Sequence, residues 1–374
     1  MGIAYESKVA GVRILSGPIS DIDEAASLNY DFQHASIYSC SWGPPDDGRS
    51  MEGPGYLIKK AMVNGIQNGR GGLGSVFVFA SGNGGRSGDQ CNFDGYTNSI
   101  FSITVASIDY KGLHPDYSEA CAANMVVAYS SGSGAHIVSH PLMCARQFLS
   151  TLAQTTTDVG KNKCTSGHGG TSAAAPNAAG VFALALSVRY VVSPVFVGSR
   201  LRLVPSPDLN WRDLQHLCVL TADEVNPDDP DWEMTANGRR FSYKYGWGAL
   251  NGVAYVNAAM DWQSVKPQAW INMPTIQIAN GTMDVFEASS GGETIPPGGL
   301  ASTMQVTQDL LQEHNFEKME HITVTVWITH QRRGDVEVQL VSPHGVRSVL
   351  AAKRDGDGAT TGYPGWTFST VKHW

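Results

Sequence analysis

"SGHGGTSAAAPNAAG", residues 166–180, sets Ser172 between a glycine-rich approach and an alanine run that ends at Pro176. Ala173, Ala174 and Ala175 are strong helix formers. Proline is tolerated in a helix's first turn, where its missing N–H costs nothing. The pattern predicts a helix running toward Leu186 with Ser172 at its N-terminus. Unpaired amides and the helix dipole there favour negative charge beside the serine oxygen. Such a serine suits covalent chemistry if a base stands nearby. The same pattern also fits Ser172 or Thr171 as a plain N-cap, and the stretch alone does not choose.

A second element bears on that choice. "FVFASGNGGR", residues 77–86, ends an apolar run in Ser81-Gly82-Asn83-Gly84-Gly85. An asparagine between glycines at the end of a strand can aim its amide into a cleft. There it would donate to a developing oxyanion, an interaction worth about 2.7–4 kcal/mol. An Asn-Gly pair alone also fits an ordinary turn.

Further outward, "VAGVRIL" (9–15), "SIYSCSWG" (36–43), "SVFVFASGN" (75–83) and "SITVAS" (102–107) read as buried parallel strands. Each is short, apolar and followed by turn residues. Segments 21–30, 54–68, 172–188 and 209–221 read as helices. The alternation predicts an α/β fold with a mostly parallel sheet and its functional groups at the carboxyl ends of the strands. After Trp262 the pattern changes. "SVKPQAWINMPT" (264–275) reads as a linker. "HITVTVWITH", "DVEVQLVSP" and "RSVLAA" then alternate apolar and polar residues, which predicts a smaller antiparallel β-sandwich. The expected division is 1–262, a linker at 263–275, and 276–374.

Composition narrows the classes. Hydrophobic residues make up 42% and charged residues 16% of the 374, which marks a globular chain. A net charge of −8 argues against a nucleic-acid partner and allows a cationic one. "MGIAYESKVAGVRIL" lacks the basic region and long apolar run of a signal peptide. The most apolar segment, around Ala178–Leu186, is followed by Arg189 and Pro194, so it reads as a buried helix and not a membrane span. The six cysteines have no zinc-site spacing. Cys40 and Cys218 sit in apolar runs and read as buried thiols. Asn280-Gly-Thr is a sequon compatible with a secreted route.

The stretches "SWGPPDDGRSMEGPG", "GRGGLGSVFVFASGNGGR", "CNFDGYTNSI", "YSEAC", "GHGGTSAAAP", "WRDLQHL" and "YGWGALNG" together resemble the kexin/furin branch of the subtilisin-like serine proteases, and its fungal members in particular. "RRGDVEVQLVSPHGVRSVL" and "GYPGWTFSTVKHW" resemble the P domain that follows the protease domain in that branch. The resemblance implies a subtilisin-like three-layer sandwich followed by an antiparallel P domain. It implies Ser172 as nucleophile and Asn83 as oxyanion donor. It also implies a monomeric endopeptidase of the secretory pathway that cuts proproteins after paired basic residues, with a membrane anchor C-terminal to this chain and a late Golgi or endosomal location. Asp46 and Asp94 match the carboxylates that receive the arginine next to the cut. Glu24, Glu52 and Tyr96 match groups that receive a basic side chain further upstream. A carboxylate binds a guanidinium well, often through two hydrogen bonds. Asp46, Asp89 and Glu119 match a Ca2+ site, and three gathered carboxylates need such a cation. Cys91 and Cys121 match a disulfide pair of the family.

The resemblance also implies absences. Its catalytic Asp and His motifs would precede Met1, as would two acidic pocket residues and the partner of Cys164. Of the 11 histidines, His168 lies four residues before Ser172 but matches a non-catalytic family position. The closing "VKHW" falls inside a P-domain motif. Two segments, Val138–Gln154 and Tyr190–Ser206, interrupt stretches that the family carries continuously, and they read as translated introns or, alternatively, surface loops; Cys144 lies in the first. The expectation is a calcium-dependent processing endopeptidase whose chain as given is inactive without its base and prone to aggregate. The alternative is a pseudoprotease that binds basic peptides in an acidic cleft. An α/β-hydrolase esterase fits poorly, because Gly-Thr-Ser-Ala-Ala lacks the second glycine of the G-x-S-x-G elbow.

Overall fold

The computed structural model describes residues 2–15, 17–134, 168–188, 193–197, 200–204, 209–276 and 293–374. Four strands form a parallel sheet in the order β1 (Ile37–Cys40), β2 (Val76–Ala80), β3 (Ser102–Ile108) and β4 (Val126–Tyr129). Strand alternation sends the side chains of β2 to opposite faces. Phe77 and Phe79 pack with Leu28, Ile58, Met62 and Ile66, which come from α1 (Asp21–Leu28) and α2 (Tyr56–Asn68). Val76, Val78 and Ala80 pack on the other face with Ala174, Ala175, Ala178 and Phe182 of α3 (Thr171–Val188). The result is helix, sheet, helix in three layers, and every residue of β2 and β3 is buried.

The alanines of α3 permit this layering. A helix that lies across all four strands must approach the sheet closely, and small side chains allow it. By length and composition α3 would cross a membrane, but here its buried face covers the sheet. Pro176 does not sit in the first turn as expected, because the helix begins at Thr171. Its missing N–H frees the carbonyl of Ser172, four residues back. That carbonyl takes the hydroxyl of Ser41 instead, at 3.2 Å.

Three expectations about strands need correction or addition. "VAGVRIL" is not a strand: residues 9–15 carry no regular structure and are mostly exposed. A strand is a shared structure, and among the described residues no partner pairs with this one. β4 was not expected. The segment Tyr190–Ser206 contains β5 (Ser193–Val197) and β6 (Arg200–Val204), which pair antiparallel, while its other residues lie outside the described ones. Val138–Gln154, Cys144, Cys164 and Asn280 also lie outside them.

The chain continues through α4 (Trp211–Thr221), the short pair β7 (Glu233–Met234) and β8 (Arg240–Phe241), α5 (Gly252–Met260) and α6 (Gln308–Glu313). Two antiparallel pairs close it. β9 (Ile322–Ile328) pairs with β12 (Tyr363–Thr370), and β10 (Val338–Val341) with β11 (Arg347–Ala351). Val336, Leu350, Ala351, Tyr363 and Phe368 of this region share one apolar cluster with Phe93 and Ala122 of the first.

Candidate active site

The carboxyl ends of β1 and β2 and the start of α3 meet at a cleft of about 240 Å³. Ser172 is the second residue of α3, so neither it nor Thr171 stands at the N-cap position. Gly170, at φ +80°, turns the chain into the helix, and a Cβ there would lie 3.0 Å from Asn83 Oδ1. Thr171 donates to that oxygen twice, from its backbone N–H at 2.8 Å and its hydroxyl at 3.0 Å. Two donors on one oxygen decide which end of the amide is which. Asn83 Nδ2 therefore remains a donor with no acceptor among the described residues. Asn83 and Ser172 both line the cleft. Among the described residues no histidine lines it, His168 included.

The opposite side is acidic: Asp46, Asp89, Asp94 and Glu119 line the same cleft. Asp94 lies against the backbone of Gly43, where a Cβ would stand 2.7 Å from its Oδ2. Its Oδ1 accepts the N–H of Tyr96 at 2.7 Å. Burial pushes the Asp94 carboxyl up to about 7; backbone N–H bonds from Tyr96 and Thr97 oppose this, and Asp46 and Asp89 add to it. Glu119 is held under Gly82, whose φ of +107° and missing Cβ leave room for the carboxylate. It accepts the N–H of Gly84 at 3.0 Å. Burial, then the charges of Asp89 and Asp46, push it well above the usual carboxylate range. Asp89 is raised by burial, against a 2.9 Å bond from Gly48 N–H and an ion pair with Arg354.

Three further residues extend the site. Glu24 is buried at 7% exposure on α1 and accepts the indole N–H of Trp42 at 3.2 Å. Tyr96 lies beside it, and burial together with the Glu24 carboxylate raises its phenol. Glu52 is exposed and bridges in parallel to Asp94 through the backbone. Cys91 and Cys121 are joined, with Cα atoms 5.4 Å apart, while Cys40 and Cys218 are buried and free. Asp46, Asp89 and Glu119 line one cleft and offer only oxygen atoms, with Asp89 already paired to Arg354. Among the described residues, however, no group of three or more His, Cys, Asp or Glu stands ready-made for a metal. Sequence reading missed Trp42, the Thr171 lock on Asn83, and Arg354. Trp42 and Thr171 lay inside motifs already quoted; Arg354 had no local signal.

The subtilase family model matches residues 1–248, and the proprotein convertase P-domain model matches 319–374. Kexin of Candida albicans is 46% identical over the whole chain, which covers 36% of that protein. Kexin of Saccharomyces cerevisiae is 42% identical over the whole chain, covering 40% of it, and furin of Bos taurus is 38% identical, with 41% covered. The chain thus spans less than half the length of these relatives. A crystal structure of a serine protease of Aeromonas sobria superposes over 100% of the chain and 68% of its own, with TM-score 0.71 at 19% identity, which shows the shared fold. The chain belongs to the subtilase family, as a kexin/furin-type member followed by a P-domain segment.

Proposed function

We propose that this chain carries the nucleophile, oxyanion donor and acidic specificity pocket of an endopeptidase that cuts proproteins after paired basic residues. The observation that carries the reading is the cleft itself, with Ser172 and an Asn83 amide that has no acceptor among the described residues on one side, and the poorly compensated carboxylates Asp94 and Glu119 on the other. Ser172 Oγ attacks the scissile carbonyl as its proton passes to a base. Asn83 Nδ2 donates to the oxyanion; the C–N bond then breaks and the amine leaves with the proton the base took, and water hydrolyses the Ser172 ester to release the acid. Asp46 and Asp94 take the arginine next to the cut. Glu24, Glu52 and Tyr96 take a basic side chain further upstream. Leaving such carboxylates unpaired is costly, so a neutral substrate is rejected.

Ca2+ suits the all-oxygen set Asp46, Asp89 and Glu119, and when bound it supplies positive charge that offsets their repulsion. We assign residues 1–262 to the peptidase domain and 276–374 to the P domain, joined by 263–275. The whole protein belongs to the secretory pathway, in a late Golgi or endosomal membrane, as a monomer. With no base among the cleft residues described, turnover by the 374-residue chain is slow. The test is hydrolysis of fluorogenic peptides. The reading expects slow release that prefers Lys-Arg over Lys-Gln and disappears in Ser172→Ala. Release that survives Ser172→Ala, or shows no preference for Lys-Arg, would sink it.

A further inference from the structure

Behind the acidic cleft lies a fully buried cation from the far end of the chain. Arg354, 1% exposed, follows β11 and is no part of the cleft lining. One guanidinium nitrogen, Nη1, donates to Asp89 Oδ1 and to the carbonyl of Ser50, both at 2.9 Å. The other, Nη2, donates to the carbonyl of Arg49 at 2.9 Å and to Asp357 Oδ2 at 2.6 Å. Its flat face lies 3.7 Å from the ring centre of Phe93. Arg333 reinforces the arrangement through its Nε bond to Asp357 Oδ2 at 2.7 Å and a 2.5 Å bond to the Arg49 carbonyl.

The partners on the cleft side belong to its two walls. Arg49 and Ser50 continue the loop that carries Asp46. Asp89 and Phe93 belong to the turn that carries Asp94. Ser50, Asp89 and Phe93 themselves line the cleft. One planar fork thus spans both walls from behind, in a geometry that an ammonium group cannot reproduce. Packing alone does not account for this choice. Burying a cation is expensive, and an apolar side chain of similar size would fill the space at lower cost. The four bonds are directional, and they fix the distance between the walls.

We infer that Arg354 is a positioning residue for the specificity pocket: by tying the Arg49–Ser50 loop to Asp89, it sets the spacing of the cleft's carboxylates and so the preference for arginine over lysine. The selectivity part rests on the proposed function above. Arg354 touches no substrate and acts only through the two walls. Asp357 is its second anchor, held jointly with Arg333, so the closing antiparallel region takes a direct part in selectivity.

The test uses the 374-residue chain with Arg354→Lys, which keeps the charge but not the fork, and with Asp357→Asn, which loosens the anchor. Glu233→Gln is the control; it weakens a different tie between the same regions, the 2.7 Å bond from Lys372 to Glu233. Fluorescence anisotropy measures binding of labelled peptides ending in Lys-Arg and Lys-Lys. Hydrogen exchange measures protection of residues 45–52 and 89–96. Arg354→Lys should weaken the Lys-Arg peptide by about tenfold and leave the Lys-Lys peptide within about twofold. Exchange should rise in both walls together and nowhere else, and Asp357→Asn should show a smaller change of the same kind. Folded variants with unchanged wall protection overturn the positioning role. Unchanged preference with loosened walls overturns the selectivity role. Failure of both variants to fold, with the control folded, would make Arg354 a stability residue only and also overturn the inference. A parent chain that binds neither peptide would count against the proposed function, and wall protection would still decide the positioning role.

Discussion

Two carboxylate sites in this molecule, one partly buried and one buried, have opposite electrostatics. At the seam between α4 and β9, Glu320 accepts Arg212 Nε at 2.8 Å, a second bond from Arg212 Nη2, and His216 Nε2 at 2.8 Å. Burial alone would raise its carboxyl, but the His216 and Arg212 bonds and charges hold it down to about 2. In the cleft, burial raises Asp94 to about 7 and pushes Glu119 well above the usual carboxylate range, and neighbouring carboxylates add to both. The seam is a finished structure whose charges are satisfied internally. In the cleft only Asp89 has a cation, Arg354; among the described residues none is paired with Asp94 or Glu119, and the fold bears that cost. An uncompensated cluster in a concavity is the signature of a site awaiting a charged partner.

The contrast is tested first by stranding the paired member. Arg212→Met leaves Glu320 with only His216 and should cost about 3–5 kcal/mol. Adding Glu320→Leu should recover most of that loss, and urea unfolding of the single and double variants measures both. A small effect of the single change would mean the seam is not held by its charges.

Next in size is the reverse experiment. Between about 4 and 7 the folded chain keeps a proton on Asp94 that the unfolded chain, near the ordinary 3.8, releases. The stability from that proton is full below about 4 and is lost as pH rises through about 7. Asp94→Asn should therefore stabilise the chain at pH 8, by up to about 4 kcal/mol, and change little at pH 3.5. Thermal unfolding across pH measures this. A destabilising Asp94→Asn at pH 8 would show that the carboxylate already has its cation. At the seam, by contrast, acid should weaken the chain. Burial lowers the His321 imidazole to about 4, so stability falls as pH drops below the ordinary 6.5 toward that point.

Calcium should lessen the difference between the two sites. At one hundred times its dissociation constant it should stabilise the chain by about 2.7 kcal/mol, and Glu119→Gln should raise the calcium needed. A melting temperature indifferent to calcium in both forms would remove the metal from the account. The smallest expected effect is Thr171→Val, which deletes the hydroxyl bond to Asn83 but keeps the backbone one. It should cost about 1 kcal/mol and lower any Ser172-dependent hydrolysis with binding intact.

Much of this was legible in the sequence, for local reasons. β2 and β3 are apolar runs that a central sheet position requires, α1, α2 and α4 carry helical periodicity, and α3 is an alanine-rich run of strong helix formers. The cleft residues sit in short motifs bounded by glycines, where a turn or close approach leaves few alternatives. What was not legible depends on distant partners. "VAGVRIL" has the composition of a strand, but strands form in pairs and its pairing is not written in its own residues. The pairing of Arg354 with Asp89, 265 residues away, follows from how the closing antiparallel region packs on the first, and nothing near either residue announces it. Pro176 was misplaced by one turn because the bond from Ser41 to the Ser172 carbonyl, 131 residues apart, makes a proline tolerable there.

The central claim of the proposed function is that Asp94, with Asp46, receives a guanidinium. Citrulline has nearly the shape of arginine without its charge, so peptides ending in Lys-Arg and Lys-citrulline isolate that charge. Fluorescence anisotropy at pH 7.5 should show the parent chain binding the Lys-Arg peptide at least about tenfold more tightly, and Asp94→Asn reducing the difference to about twofold while the chain stays folded. Equal binding of the two peptides by the parent chain, or an undiminished preference in Asp94→Asn, would contradict the account.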